Sequence, residues 1–252
     1  MITNNFSLLE DILRFEPGTY YKFVALIRQK DFADNTPVLN VKERSELFVR
    51  QWFIDSEESL ERYAYDMINL CTATKARLYM TTDRKSVKKT ILKMQDQLSE
   101  YVKQIVNNPD APISIRKLSK FSSSASQMAE CSSGPKYWLI DIDGNDIEES
   151  KRWKVALLLS DYFKTVLSLK HSNIATFKTP NGYHLLVPRD FDIYKVVDSF
   201  LLTGHIEGKL GNETISIKED IEGQCRVFLT SWRKQWEIKE NALTLVYFND
   251  GK

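Results

Sequence analysis

The chain has 252 residues, 42% of them hydrophobic and 27% charged, and its 35 basic and 34 acidic side chains leave a net charge of +1. This length buries a substantial core as one large domain or two small ones, and the near-neutral balance leaves nucleic-acid binding to a local patch rather than to overall basicity. With no run of eighteen apolar residues and no charged-then-apolar leader, neither membrane insertion nor secretion is expected, and Cys71, Cys131 and Cys225 lack metal-type spacing, which fits a reducing cytoplasm and argues against structural zinc.

Tyr20–Ile27 and Glu46–Phe53 are rich enough in aromatic and β-branched residues to be strands, and the charged run from Arg28 to Arg44 reads as a long exposed loop between them. Asp55 or Ser56 caps a helix in which Leu60, Tyr63, Ala64, Met67, Ile68 and Cys71 recur at helical spacing, with Glu57 and Glu58 in the favoured first turn. Ala76–Thr81 is the next strand. Ser86 caps a second helix expected to turn Val87, Ile91, Met94, Leu98, Val102 and Ile105 inward. The intervening Thr82–Ser86 reads as a solvated loop, the alternative being a phosphate held by a helix N-terminus and two cations. Residues 1–120 therefore form a β-β-α-β-α module. Residues 121–135, rich in serine, read as a mobile loop or linker.

A second module spans 136–252 and opens on Tyr137-Trp138-Leu139-Ile140-Asp141-Ile142-Asp143-Gly144. Side chains alternate along a strand, so Asp141 and Asp143 share one face and Ile140 and Ile142 the other. Two like charges aimed at one place repel unless a cation lies between them, and hard oxygen ligands suit Mg²⁺ or Mn²⁺. The alternative is a strand end whose aspartates serve a turn.

A helix follows from about Glu148 to Leu169, its stripe Trp153, Ala156, Leu157, Ser160, Phe163 and Leu167. Ile174 to Pro188 then reads as a hairpin, two β-rich runs about Thr179-Pro180-Asn181-Gly182. His184 follows the turn at once, beside Lys178, Thr179 and Asn181, which suit an anionic group. Asp192 caps another helix ending at Gly204, Thr214–Lys218 and Cys225–Thr230 read as a hairpin about Glu219–Gln224, and Leu243–Phe248 is the last strand.

An aliphatic strand into Asp-x-Asp, followed by Gly182-Tyr183-His184-Leu185-Leu186-Val187-Pro188, resembles the first two motifs of the archaeo-eukaryotic primase superfamily, phage type, and in particular the polymerase domains of bacterial end-joining ligases. The resemblance covers about residues 137 to 230; the whole chain is also similar to a group of uncharacterised phage and bacterial proteins. It implies that Asp141 and Asp143 hold divalent metals, Mg²⁺ or Mn²⁺, that His184 contacts the phosphates of an incoming nucleotide with Lys178, Thr179, Asn181 and Arg226, and that a later carboxylate completes the metal set. Asp220 is the candidate, with Glu219 and Glu222 equally available. Pro180 stands where the family's turn usually carries Gly, which removes a backbone N–H.

The fold class expected is α+β, with mixed or antiparallel sheets, flanking helices and a primase-like palm in the C-terminal half. The function expected is metal-dependent nucleotidyl transfer in phage replication or repair, with nucleoside triphosphates and single-stranded or primed nucleic acid as partners, in the cytoplasm of a bacterial or phage-infected cell. The alternatives are a two-metal nuclease or phosphodiesterase and a catalytically silent primase-like scaffold that binds nucleic acid or protein.

Overall fold

The computed structural model describes residues 2–28, 31, 46–108, 115–143, 147–167, 174–203, 208–210, 213–215, 223–225, 229, 238–239 and 242–249. Every described strand pair is antiparallel, and helices flank the sheets, so the fold is α+β.

The first sheet has the order β1-β12-β4-β2-β3, with β5 pairing on β2. Its strands are β1 (Ile2–Asn4), β2 (Thr19–Arg28), β3 (Glu46–Ile54), β4 (Arg77–Thr81), β5 (Lys85–Ser86) and β12 (Leu243–Asn249). The helix after β3 begins as its sequence dictates. Ser56 accepts a hydrogen bond from the Ser59 N–H and the Ser59 hydroxyl accepts one from the Ser56 N–H, which fixes the start of α2 (Glu57–Thr74). Met67 and Cys71 of α2 pack on Phe23, Ala25, Leu78 and Met80, and the same core reaches Leu139, Phe177 and Leu186 of the second sheet.

The second sheet has the order β11-β6-β8-β7, from β6 (Tyr137–Ile142), β7 (Ala175–Lys178), β8 (Tyr183–Pro188) and β11 (Ile238–Lys239). One face carries Ile140, Ile142, Leu185 and Val187 against α5 (Arg152–Val166) and α6 (Ile193–Thr203). Asp192 accepts the N–H groups of Tyr194 and Lys195 at the start of α6, as its sequence position predicts. Strand alternation turns Leu139 and Asp141 the other way, toward the first sheet.

Several expectations are corrected. The short helix α1 (Leu9–Ile12) and strand β1 are additional elements. Residues 121–135 contain no simple linker: α4 (Ile115–Gln127) covers much of the segment, a 3₁₀ turn follows at Ala129–Cys131, and Ala125, Ser126, Cys131 and Ser132 are buried. The run of serines hid this helix although Ile115, Leu118, Phe121 and Ala125 recur at helical spacing. The division at 120 and 136 is crossed as well, because β12 lies between β1 and β4 in the first sheet.

Helix α3 (Val87–Asn107) starts at Ser86 as expected, yet Val87, Ile91, Leu98 and Val102 are exposed, and Thr90 and Tyr101 are the buried residues. The neighbour decides this: Tyr101 meets Phe121 of α4 edge to face, and Thr90 bonds Tyr20 of β2. The helix expected from Glu148 begins with a 3₁₀ turn at Glu149–Lys151 before α5, and Trp153 is exposed. Cys225 and Leu229 are helical where a strand was expected, while β9 (Gly208–Leu210) pairs with β10 (Glu213–Ile215).

The Thr82–Ser86 stretch is not a solvated loop: Thr82, Asp83, Arg84 and Lys85 are buried and Ser86 is half-buried. Lys85 donates to Asp83, Ser132 approaches both, and Arg84 pairs with Glu16. Lys22 is fully buried beside this cluster and donates to the Ser123 carbonyl and hydroxyl.

Candidate functional site

A cleft of about 220 Å³ is lined by both sheets. Leu26, Arg28, Glu46, Arg77, Tyr79, Leu243 and Leu245 come from the first; Asp141, Asp143, Thr179, Asn181, His184 and Lys239 come from the second sheet and its connections. Such a volume lies below the roughly 300–1,000 Å³ of typical ligand pockets. A nucleotide-sized ligand therefore projects beyond it.

The register builds the centre. Asp141 on β6 stands directly opposite His184 on β8, which stands opposite Phe177 on β7, so the three share one face. His184 Nε2 lies 3.6 Å from Asp141 Oδ1, and its Nδ1 is 3.2 Å from the Thr244 hydroxyl on β12. Beyond the end of β6, Asp143 lines the same cleft and lies within hydrogen-bonding reach of Asp141. The shared aim of the two carboxylates, read from strand alternation, is what the structure places here.

The glycine of the Gly-Tyr-His run has a steric cause. A Cβ on Gly182 would collide with the Ile142 carbonyl oxygen and lie 2.9 Å from the Asp143 Cα. Only a residue without a side chain lets the hairpin pass this close to the strand end that carries the aspartates. The turn closes with the Thr179 N–H donating to the Gly182 carbonyl at 2.8 Å, while Arg152 holds the Asn181 carbonyl.

Lys178 does not join the cleft. It follows Phe177, pairs with Tyr183 and is exposed, so alternation sends it to the opposite face from His184. Its backbone is instead clamped by Asn5, which accepts the Lys178 N–H, and donates to the Lys178 carbonyl and that of Leu245. Asp220, Arg226, Glu219 and Glu222 lie outside the described residues.

Five polar residues of the cleft were not anticipated: Arg28, Glu46, Arg77, Tyr79 and Lys239. Each cation among them has a carboxylate partner. Arg28 pairs with Glu46 at 3.2 Å, Arg77 pairs through both sides of its guanidinium with Asp31 and lies over Phe248, and Lys239 Nζ sits 2.8 Å from Asp141 Oδ2. A cation inside an otherwise apolar strand, as in Ala76-Arg77-Leu78-Tyr79, was the available signal for Arg77. For Lys239 there was none, because its role depends on β11 pairing beside β6.

The electrostatics follow from burial and these contacts. Burial alone raises the Asp141 carboxyl pKa, but His184, Lys239 and Asp143 outweigh it and hold the group below the ordinary carboxylate value. Burial pushes His184 down to about 4, against the opposing pull of Asp141. At neutral pH the pair is thus an ionised Asp141 beside a neutral imidazole, with Lys239 supplying the positive charge. Two polar atoms in the cleft have no hydrogen-bond partner among the described residues, Asp141 Oδ1 and the Thr179 hydroxyl, the latter on a residue only 6% exposed.

The unpartnered Asp141 Oδ1 and the adjacent Asp143 are hard oxygen donors of the kind Mg²⁺ and Mn²⁺ take, so these two residues fit the ion; among the described residues no group of three His, Cys, Asp or Glu surrounds one point. No protein-family model matches the chain, and neither a curated protein nor a solved structure is found to match it.

Proposed function

We propose that the cleft binds a nucleoside triphosphate and carries out divalent-metal-dependent nucleotidyl transfer on nucleic acid, in a C-terminal half that serves as a primase-like palm. The observation that carries this reading is the convergence of Asp141, Asp143, His184, Thr179 and Asn181 on one cleft, from two sequence motifs about forty residues apart.

Asp141 and Asp143 would hold Mg²⁺ or Mn²⁺, which supplies acidity to an attacking hydroxyl and neutralises phosphate charge. The remaining work is positioning. The Thr179 hydroxyl, buried and unpartnered, is available to donate to a phosphate oxygen, and the Asn181 side chain lines the same wall. His184, tied to Thr244, packs beside Asp141 on the same wall of the cleft. Arg28 stands at the far wall, where exchange of Glu46 for a phosphate would bring a charge-assisted contact. Tyr79, with Leu26, Leu243 and Leu245, lines the surface against which the uncharged part of a nucleotide would lie. The nucleic-acid strand and the cytoplasmic setting belong to the same proposal.

A second reading is favoured by one specific contact. Lys239 already neutralises Asp141, which is what a silent scaffold that binds nucleotide or nucleic acid without metal chemistry would use. Incubation with labelled nucleoside triphosphates, Mn²⁺ and a primed single-stranded template separates the readings. Extension of the primer supports transfer, strand loss supports a nuclease, and nucleotide binding with neither supports the scaffold.

A further inference from the structure

Asp141 and Asp143 bring two carboxylates together at the end of β6, and like charges so placed need a cation. The protein supplies one of its own. Lys239 Nζ is 2.8 Å from Asp141 Oδ2, reached from β11, which pairs Lys239 with Leu139 two residues before Asp141 on the same face. The two partners differ in freedom: the Lys239 side chain is 53% exposed and the Asp141 side chain 15%. A carboxylate fixed in the sheet thus faces a long ammonium stem that can swing into water at little cost, because exposed lysine pairs are weak.

Resting on the metal-dependent reading above, we propose that Lys239 is an exchangeable internal cation: it occupies Asp141 while no metal is bound, a divalent ion displaces it, and the freed ammonium turns to the anionic ligand in the cleft. The exchange improves the charge match, because one ammonium offsets only one of the two carboxylates and a divalent ion offsets both. Without metal, one ammonium offsets an ionised Asp141. With metal, the ion carries the two carboxylates, and Lys239, still at the cleft wall, meets the triphosphate, whose negative charge the other described cations there, Arg28 and Arg77, are less able to offset because each is engaged by Glu46 or Asp31.

The exchange makes an unusual forecast, that removing a positive charge strengthens metal binding by more than a general field effect. Full-length wild type, Lys239→Ala, Lys239→Arg and Asp141→Asn are titrated with Mn²⁺ alone by calorimetry. Exchange predicts that Lys239→Ala binds Mn²⁺ roughly tenfold tighter than wild type, that Lys239→Arg stays near or below wild type, and that Lys239→Ala then binds nucleoside triphosphate more weakly than wild type in saturating Mn²⁺. Equal or weaker Mn²⁺ binding by Lys239→Ala overturns the exchange. Should Asp141→Asn lose Mn²⁺ while Lys239→Ala matches wild type, the exchange fails and the metal site stands. Should Asp141→Asn bind Mn²⁺ as wild type does, the metal site fails and the exchange falls with it.

Discussion

Asp141 and His184 face each other across β6 and β8, with His184 Nε2 3.6 Å from Asp141 Oδ1 and His184 Nδ1 3.2 Å from the Thr244 hydroxyl. One imidazole therefore ties the acidic strand of the second sheet to β12 of the first. Replacing it by Ala removes packing against Asp141 and leaves the Thr244 hydroxyl short of a partner, at a cost of about 1–3 kcal/mol. His184→Ala is expected to melt below wild type and to bind Mn²⁺ and nucleotide more weakly, because Asp141 loses its orientation. A melting temperature equal to that of wild type in calorimetry would show that the imidazole ties nothing together.

Asp141→Asn keeps the size of the side chain and removes its charge. It is expected to lower Mn²⁺ affinity by at least tenfold, about 1.4 kcal/mol, and to abolish nucleotide transfer while the far-UV circular dichroism spectrum is retained. Retained Mn²⁺ affinity would count against Asp141 as a ligand.

Gly182→Ala adds a single methyl group against the Ile142 carbonyl and the Asp143 backbone. Overpacking of this kind costs roughly 1–3 kcal/mol, and here the strain falls on the strand end that bears the acidic pair. Thermal unfolding should register the loss, and Mn²⁺ titration of the folded variant should show a displaced site. Gly18→Ala tests the other source of a glycine's necessity: no atom lies within 4 Å of its added Cβ, but its φ of +74° penalises any side chain, so it should lose stability without loss of Mn²⁺ affinity.

Lys22 is buried and its pKa is lowered to about 8, first by burial and then by the neighbouring charge of Lys85. The folded-state pKa is below the ordinary lysine value of 10.5, so between about pH 8 and 10.5 the unfolded chain binds more protons than the folded one, and this group's contribution to stability rises with pH across that window. Below pH 8 its burial penalty is present in full. Lys22→Met replaces the charge by a chain of similar length and should make stability less dependent on pH between 8 and 10, with no loss at pH 7 beyond that of the Ser123 hydrogen bonds. Chemical denaturation at pH 7, 8, 9 and 10 measures both. Identical pH slopes for the two proteins would mean that Lys22 does not titrate there.

The serine-rich segment 121–135 is packed through Ala125, Ser126, Cys131 and Ser132, and Phe121 meets Tyr101. Limited proteolysis under native conditions is expected to spare this segment until the protein unfolds globally. Early cleavage within 121–135, located by mass spectrometry, would restore it as a mobile linker.

Local chemistry made much of this protein legible from its sequence. Asp55 or Ser56, Ser86 and Asp192 announced three helix starts because a cap needs only a side-chain oxygen near the first free N–H groups, and of the first two Ser56 is the cap. The common aim of Asp141 and Asp143 followed from strand alternation, and Thr179–Gly182 from turn chemistry. What each face meets was another matter. The apolar stripe of α3 and the serine-rich α4 were misjudged because burial depends on the neighbour: Tyr101 and Phe121 meet, while Val87, Ile91, Leu98 and Val102 stay outside. Only the tertiary structure brought Arg28, Arg77 and Tyr79 across from the first sheet and set Lys239 on Asp141. Those relations join residues far apart in the sequence, Lys239 and Asp141 being 98 positions apart, through strand pairing and sheet packing, interactions that leave no period in a local stretch of chain.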